Sequence, residues 1–464
     1  MMMEVVIVGA GISGLTLAVT LSRYPDFNVT VLERAAALEL ENVGNGIQVP
    51  CNAASIMRCL GLLDKMLVQV KRPATLYKNL AYDDGKELLE RNLSVYEELY
   101  GAPWLLIHRA DYMRLLRDEA TQAGVVIKYG CEVCHVDFSA PSVTFSDGHV
   151  QKADLVIASD GIHSRTRLLM HPSMRPVPTG EYAYRALFKR SQLASTPAWQ
   201  HIVSNPSVIR MWLGPGANAV LYPLQDGKLF NLVIIITDTD FNASFHQGND
   251  LIGPVKNWLR DWDPFLLQML NKTDRLVRFP LYQAQILPSW SRGCVGLIGD
   301  AAHAMMPHLA QGAAAAVEDA FVLGTLLGRC AQHKTAAALD SSQVNWSETQ
   351  TRPLQKFQIQ EILHSYQNIQ HERTTLLVSH SRLTGMLDHL PQGPDQQARD
   401  ADFARFAPED PESCVSSMPW IDGKWNRELL GRNVDEHIER EFRALVDGWN
   451  RRHVSCRGYS RARL

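Results

Sequence analysis

The chain has 464 residues, of which 46% are hydrophobic and 20% charged, and its formal net charge is -3. That balance supports a large packed core, about three domains' worth or one interleaved body, and excludes a disordered chain. A pI of about 6.6 gives no strong field to gather nucleic acid or an acidic membrane. No apolar run reaches the ~18–20 residues of a membrane-spanning helix. Val5–Leu15 is apolar but broken by three glycines, with no basic region before it, so it reads as a first strand and turn rather than a leader.

Taken in order, Glu4–Val8 is a β-branched strand, Ile12–Ser22 has helical periodicity, and Val29–Leu32 is a second strand ending at Glu33. A helix is expected from Ala110-Asp111 to Gly124, which can supply a left-handed cap. Ser146-Asp147-Gly148 between Val143–Phe145 and Val150–Lys152 is a hairpin signal, and Leu155–Ala158 a buried strand running into Asp160-Gly161. Cys131 and Cys134, in a strand-like stretch with no second pair and no nearby His cluster, read as buried thiols rather than metal ligands. No metal is expected, and a reducing cytoplasm fits the cysteine usage. Ala183–Lys189, Val208–Leu213, Ala219–Leu224 and Phe230–Thr237 read as an antiparallel sheet, and Cys294–Ile298 as another buried strand. From Gln311 to about residue 385 the pattern is mostly helical. Residues 391–420, rich in proline and charge, read as a surface loop before a last helix at Asp435–Trp449. The basic stretch Arg451 to Arg463 reads as a solvated terminus.

Three motifs carry chemistry. Gly9-Ala10-Gly11-Ile12-Ser13-Gly14 lies between the first strand and the first helix. Gly9 permits the tight turn, Gly11 lets the backbone approach a pyrophosphate, and Gly14 lets helix and strand pack closely. The helix N-terminus offers unpaired N–H groups to the phosphates. Glu33, 19 residues after Gly14, can accept from both ribose hydroxyls of an adenosine. This is a dinucleotide site, and alone it does not separate FAD from NAD. Far downstream, Gly299-Asp300-Ala301-Ala302-His303 follows a buried strand. Pro307 comes next, then Ala310-Gln311-Gly312-Ala313 opening a helix that carries Glu318-Asp319-Ala320. Asp300 can accept from a ribityl hydroxyl, and the helix start can aim N–H groups at a flavin's pyrimidine edge. An NAD dehydrogenase has no reason to carry this second element, so the pair points to FAD. In Asp160-Gly161-Ile162-His163-Ser164-Arg165-Thr166-Arg167, the acid ends a strand and Ser164 and Arg167 share one face of a turn, which taken alone could be only a capped turn.

Together these motifs resemble the group A flavoprotein monooxygenases, which have the p-hydroxybenzoate hydroxylase fold. Gly44-Asn45-Gly46-Ile47-Gln48-Val49, His108-Arg109-Ala110-Asp111, Leu309-Ala310-Gln311-Gly312-Ala313 and His389-Leu390-Pro391-Gln392-Gly393-Pro394-Asp395-Gln396-Gln397 are similar to its salicylate hydroxylase and 6-hydroxynicotinate monooxygenase branch, fungal biosynthetic members included. The resemblance spans about residues 4–400. It departs at the end, where the branch has an aromatic Trp-Leu-Tyr-Gly-like segment and this chain has Glu428-Leu429-Leu430-Gly431-Arg432 after Trp420 and Trp425.

The fold implied is α/β: a Rossmann-like FAD-binding domain in three pieces (1–75, 105–180 and 280–345), an inserted, mainly antiparallel substrate sheet (76–104 and 181–279) and a C-terminal helical region (346–464). The resemblance implies that Arg109 contacts the FAD phosphate or ribityl region and that Gly46 and Ile47 lie against the flavin ring. It implies that Asp160 serves the FAD and NAD(P)H steps, and that Pro307 lies near the oxygen-reacting carbon. From the residues alone, Arg109 could be a solvated helix start and Gly46 a plain turn.

The activity implied is hydroxylation or epoxidation of an electron-rich phenolic or indole-type aromatic, possible as a secondary-metabolite step. It uses FAD, NAD(P)H and dioxygen through a flavin C4a-hydroperoxide, in a monomer or homodimer. A flavin-dependent halogenase and a non-catalytic flavin-binding module are the alternatives. Alternation along the first strand of the substrate sheet sets Ala183, Arg185 and Leu187 on one face and Tyr182, Tyr184 and Ala186 on the other. By resemblance, Arg185 holds a substrate oxyanion or donates to the peroxide oxygen, and Tyr222 positions the ring. A surface ion pair for Arg185 and a plain core aromatic for Tyr222 remain open at this level.

Overall fold

The computed structural model describes residues 2–36, 45–194, 199–243, 250–339 and 354–461. Gly44, residues 340–345 at the end of the third FAD-domain piece, and the last residues of the basic stretch lie outside them.

The opening glycine motif sits where a parallel sheet delivers it. Met3–Val8 lies at the centre of six strands, between Leu155–Ala158 and Phe27–Leu32, and pairs in parallel with both. Val126–Lys128 extends the sheet on one side, and Val295–Leu297 with the short antiparallel Ser291–Arg292 on the other. Near-continuous apolar runs in these strands fit a sheet covered on both faces. Ile12–Leu21 packs on one face and is buried along nearly its whole length. Its neighbour is the helix Gly312–Leu339. Contact is close because Gly324 presents no side chain: a methyl there would sit 2.9 Å from Thr20 Cβ.

The second body is a seven-stranded sheet. Its order is Val277–Gln283, Val177–Lys189, Leu229–Ile236, Ala217–Leu224, Val208–Gly214, Leu76–Ala81, Glu87–Asn92. The four expected strands are present and antiparallel. Leu76–Ala81 joins in parallel, pairing with Val208–Gly214. The alternation of residues divides the two faces as expected. Tyr184, Ala186 and Phe188 fill an apolar cluster behind the sheet with Trp199, Trp212 and Trp262. Ala183, Arg185 and Leu187 turn the other way. The helix at 110–124 forms as Arg109–Gln122, with Gly124 at φ +89° just past its end. The hairpin at 142–152 also forms, with Gly148 at φ +84°.

Two expectations are corrected. Residues 391–420 are not simply a surface loop. Pro394–Phe403 is a helix with proline in its first turn, where no N–H partner is needed. Phe403, Met418, Trp420 and Ile421 are buried in a core beneath the substrate sheet. Proline and charge density hid apolar residues that pay for docking this segment. Cys131 and Cys134 are partly exposed rather than buried, because Val133–Asp137 is an outer strand of a small three-stranded sheet. The last helix runs Val434–Arg461, so much of the basic stretch continues a helix. Among the described residues, no helix is long and apolar enough to cross a membrane.

A buried acid draws the C-terminal segment onto the core. Glu318 is fully buried on Gly312–Leu339 and accepts from Asn52 Nδ2 (2.7 Å), Arg373 (2.6 and 2.7 Å) and Arg432 Nη1 (3.1 Å). Burial alone would raise its pKa, but Arg373 and Arg432 outweigh it and hold the carboxyl at about 2. Such an ionised group stabilises the fold above its unfolded pKa of ~4.3, and the contribution is lost as pH falls towards 2. Glu318→Gln should therefore lower unfolding free energy at pH 7 by about 3–5 kcal/mol, because two arginines lose their anion. Urea titrations from pH 7 to pH 2.5 should show that deficit shrinking; a deficit independent of pH would rule out the ion network as its cause.

Candidate active site

The two sheets face each other across a cavity of about 400 Å³. Its floor on the dinucleotide side is the first turn. Gly9, at φ +105°, turns so tightly that a methyl there would lie 2.5 Å from the Ser159 carbonyl oxygen, and one at Gly14 would lie 2.1 Å from the Gly9 carbonyl oxygen. A methyl at Gly11 would meet nothing within 4 Å, and Gly11 lines the cavity. That is open space over backbone N–H groups, the feature a pyrophosphate needs. Glu33 closes the turn from behind, its carboxylate accepting from Ala10 N and Ala35 N, both at 2.9 Å.

Asp300 lines the cavity at the start of a short helix, Asp300–His303, after Gly299 at φ +61°. Two buried groups hold this turn. Asp319 accepts from Gly299 N (2.8 Å) and bonds His303 Nε2 (2.5 Å). Arg167 donates to the Asp300 and Ala301 carbonyls at 3.3 and 3.2 Å, and to the Ile162 carbonyl. Ser164 caps the turn that carries Arg167, accepting from its N–H at 2.9 Å. Asp160 accepts from Thr166 N and Oγ1 with one carboxylate oxygen (3.2 Å each), while its Oδ1 is buried with no partner among the described residues. Asp160 itself stands behind the cavity, which its neighbours Ser159 and Gly161 line. The third motif is therefore more than a capped turn: it ties the end of the strand Leu155–Ala158 to Asp300.

Gly46, Ile47 and Arg109 line the cavity from a two-stranded ribbon, Gly46–Val49 against Leu105–His108, with Arg109 opening the following helix. Pro307, Gly312 and Ala313 line it from the far side. Gly46 must be small: a methyl would lie 2.5 Å from Tyr222 Cε2. Its N–H donates to Asn231 Oδ1 at 3.0 Å.

Arg185 and Tyr222 both line the cavity from the substrate sheet. Tyr222 is buried. Burial pushes its pKa up and Arg185 only partly offsets this, so the phenol keeps its proton. Burial pulls the Arg185 pKa down; Tyr222 opposes that shift and Arg109 adds to it. Arg185 Nε is buried with no hydrogen-bond partner, and the guanidinium lies 5.5 Å from the Phe279 ring centre. Among the described residues no carboxylate pairs with it, which removes the surface ion-pair alternative.

Sequence reasoning missed several lining residues. Tyr77 and Trp420 form an aromatic wall, and the buried Arg91 guanidinium lies 4.0 and 4.2 Å from their ring centres. His308 follows Pro307 but turns its Nε2 away to Glu181 (3.1 Å). Asn218 shares the inward row of Val220 and Tyr222, and the alternation that selected Arg185 would have found it.

The FAD binding domain family model matches residues 2–355. The 6-hydroxynicotinate 3-monooxygenase of Bordetella bronchiseptica is 30% identical over 356 residues, which span 75% of this chain and 89% of that protein. This chain belongs to the FAD-dependent monooxygenases. The FAD-dependent monooxygenase OpS4 of Beauveria bassiana is 29% identical over 434 residues, 91% of this chain and 95% of its own. In fold, the monooxygenase is similar to a salicylate hydroxylase substrate complex, with a TM-score of 0.70, 22% identity and coverage of 95% and 98% of the two chains. The enzyme thus uses FAD as cofactor and NAD(P)H as co-substrate, and the halogenase and non-catalytic alternatives are set aside. The open Gly11 turn, which lines the cavity beside Asp300 and Arg109, fits a flavin nucleotide's pyrophosphate.

The glycines separate folding from binding. Gly14→Ala should destabilise the protein by about 1–3 kcal/mol, since the methyl meets backbone. Gly11→Ala should leave the apoprotein's melting temperature unchanged but weaken FAD roughly ten-fold or more. Calorimetry on both variants checks this; unaltered FAD affinity in Gly11→Ala would show that the pyrophosphate does not approach there.

Proposed function

We propose that this monooxygenase uses NAD(P)H and dioxygen to hydroxylate or epoxidise an electron-rich aromatic of phenolic or indole type. The observation that carries the reading is Arg185. A cation whose Nε is buried and unpartnered, on an apolar wall beside a protonated Tyr222, wants an oxyanion or a polarised oxygen. An ionised phenol supplies one and is thereby made electron-rich.

Bound FAD supplies the redox chemistry that takes hydride from NAD(P)H and activates dioxygen. The residues do the rest. Gly9, Gly11 and Gly14 with Glu33 hold the adenosine diphosphate half, and Asp300 and Arg109 the ribityl and phosphate region. Gly46, Ile47, Pro307, Gly312 and Ala313, which line the cavity, would hold the flavin's ring, and Asp160 behind it would serve the FAD and NAD(P)H steps. Val220, Val233 and Ile235 exclude water from the substrate. Arg185 holds the substrate oxygen or donates to the oxygen being transferred. Tyr222 donates from its hydroxyl and positions the ring.

Arg185→Gln should keep FAD bound and lower product formation about 100-fold, the ~2.7 kcal/mol of one oriented donor. Tyr222→Phe should cost less and release more hydrogen peroxide per NAD(P)H, because the ring stays. The check compares product with NAD(P)H consumed; wild-type turnover and coupling in both variants would move the substrate site elsewhere. Run under heavy dioxygen, the wild-type reaction should place label in the product. Label drawn only from heavy water would end the monooxygenation reading.

A further inference from the structure

The cavity has a second polar pole, at the far end of the strand that carries Tyr222. Asn218, Val220 and Tyr222 face the cavity in alternation along Ala217–Leu224. Asn218 and Tyr222 stand four residues apart, about 13 Å at strand rise. Between them Val220 pairs with Val233, and Ile235 pairs with Asn218, making an apolar floor with one polar end at each side.

Asn218 is only 1% exposed. An amide so buried costs free energy unless both its oxygen and its nitrogen are satisfied. Its Oδ1 lies 3.1 Å from His389 Nε2, and His389 Nδ1 lies 2.6 Å from Thr237 Oγ1. Burial, with His308 beside it, pushes the His389 pKa well below the ordinary imidazole value, so the ring is neutral. A neutral ring accepting the Thr237 hydroxyl at Nδ1 carries its proton on Nε2 and donates it to the Asn218 carbonyl. The backbone fixes this chain further. The His389 carbonyl accepts from Gly216 N at 3.0 Å, and the Gly216 carbonyl from Thr237 N at 2.9 Å. The oxygen of Asn218 is thus taken from behind. Its NH2 has no partner among the described residues and is the part of the side chain left to the cavity.

We infer that Asn218 determines specificity. Its NH2 donates to a carbonyl-type oxygen, of a ketone or a carboxylate, carried by the aromatic substrate at the end opposite the oxygen met by Tyr222, with Arg185 level with Val220 between the two ends. His389 and Thr237 are positioning residues that fix which way the amide points. This rests on the aromatic-substrate reading above and narrows it to a ring with two oxygen functions on opposite sides.

The test titrates the FAD-loaded full-length enzyme with phenol, 4-hydroxyacetophenone and 4-hydroxybenzoate, following the shift each causes in the flavin absorption spectrum. Wild type should bind the two carbonyl-bearing ligands about ten-fold tighter than phenol. Asn218→Leu should abolish that advantage and leave the phenol Kd within about two-fold of wild type. Asn218→Asp keeps the shape and the His389 bond but offers only acceptor oxygens. It should lose the ketone preference and reject the carboxylate. His389→Phe should give an intermediate loss, as expected when the amide is freed to turn. A ketone preference that survives in both Asn218 variants, or is missing from wild type, overturns the inference while leaving the hydroxylase reading standing. No spectral response to any of the three ligands would count against the aromatic-substrate reading itself, and this inference would fall with it.

Discussion

Two adjacent acids on one helix, Glu318 and Asp319, hold the molecule's parts in register. Both are fully buried, where an unpaired carboxylate would be intolerable, so each must collect donors from whatever surrounds it. Glu318 collects from the helices Cys51–Cys59 and Lys356–Asp388 and from Arg432 beyond Leu430. Asp319 collects from the Gly299 turn, from His303 and from Gln370. The demand for charge compensation thereby fixes where the Asp300 loop stands relative to the first glycine turn, and where the C-terminal arm must run.

The cavity follows from that register. One wall is backbone: glycine turns and helix starts, with N–H groups and few side chains. The other is a pleated sheet whose inward face mixes apolar residues such as Val220, Val233 and Ile235 with the polar Arg185, Tyr222, Asn218 and Asn231. A backbone wall suits a large invariant nucleotide, and a side-chain wall suits a ligand that differs from enzyme to enzyme. The two walls meet at Gly46, which is small because Tyr222 leans against it.

Local signals were legible wherever the chemistry was local. The Gly9–Gly14 turn, Glu33, the Asp160 and Asp300 elements and the alternation on Val177–Lys189 can each be read within about 25 residues, and the strands and helices that carry them formed close to where their periodicity put them. The wall formed by Tyr77 and Trp420 could not be read that way, since those residues lie more than 300 positions apart and meet only after the last core closes. The segment 391–420 misled for a related reason: proline at a helix start and charges on its outer side look like loop, and only tertiary packing shows that Phe403 and Trp420 point inward. Cys131 and Cys134 erred the opposite way, because apolar neighbours do not say that a strand lies in a small outer sheet.

The family match ends at residue 355, yet Trp420 lines the cavity from beyond it, tilted against Tyr77 with the Arg91 guanidinium beside both rings. The chamber's wall thus includes a residue from outside the matched FAD-binding domain. A change of side chain at Trp420 alters the shape of the ligand chamber and leaves the glycine turn untouched, so ligand fit and cofactor grip are set by separate stretches of chain.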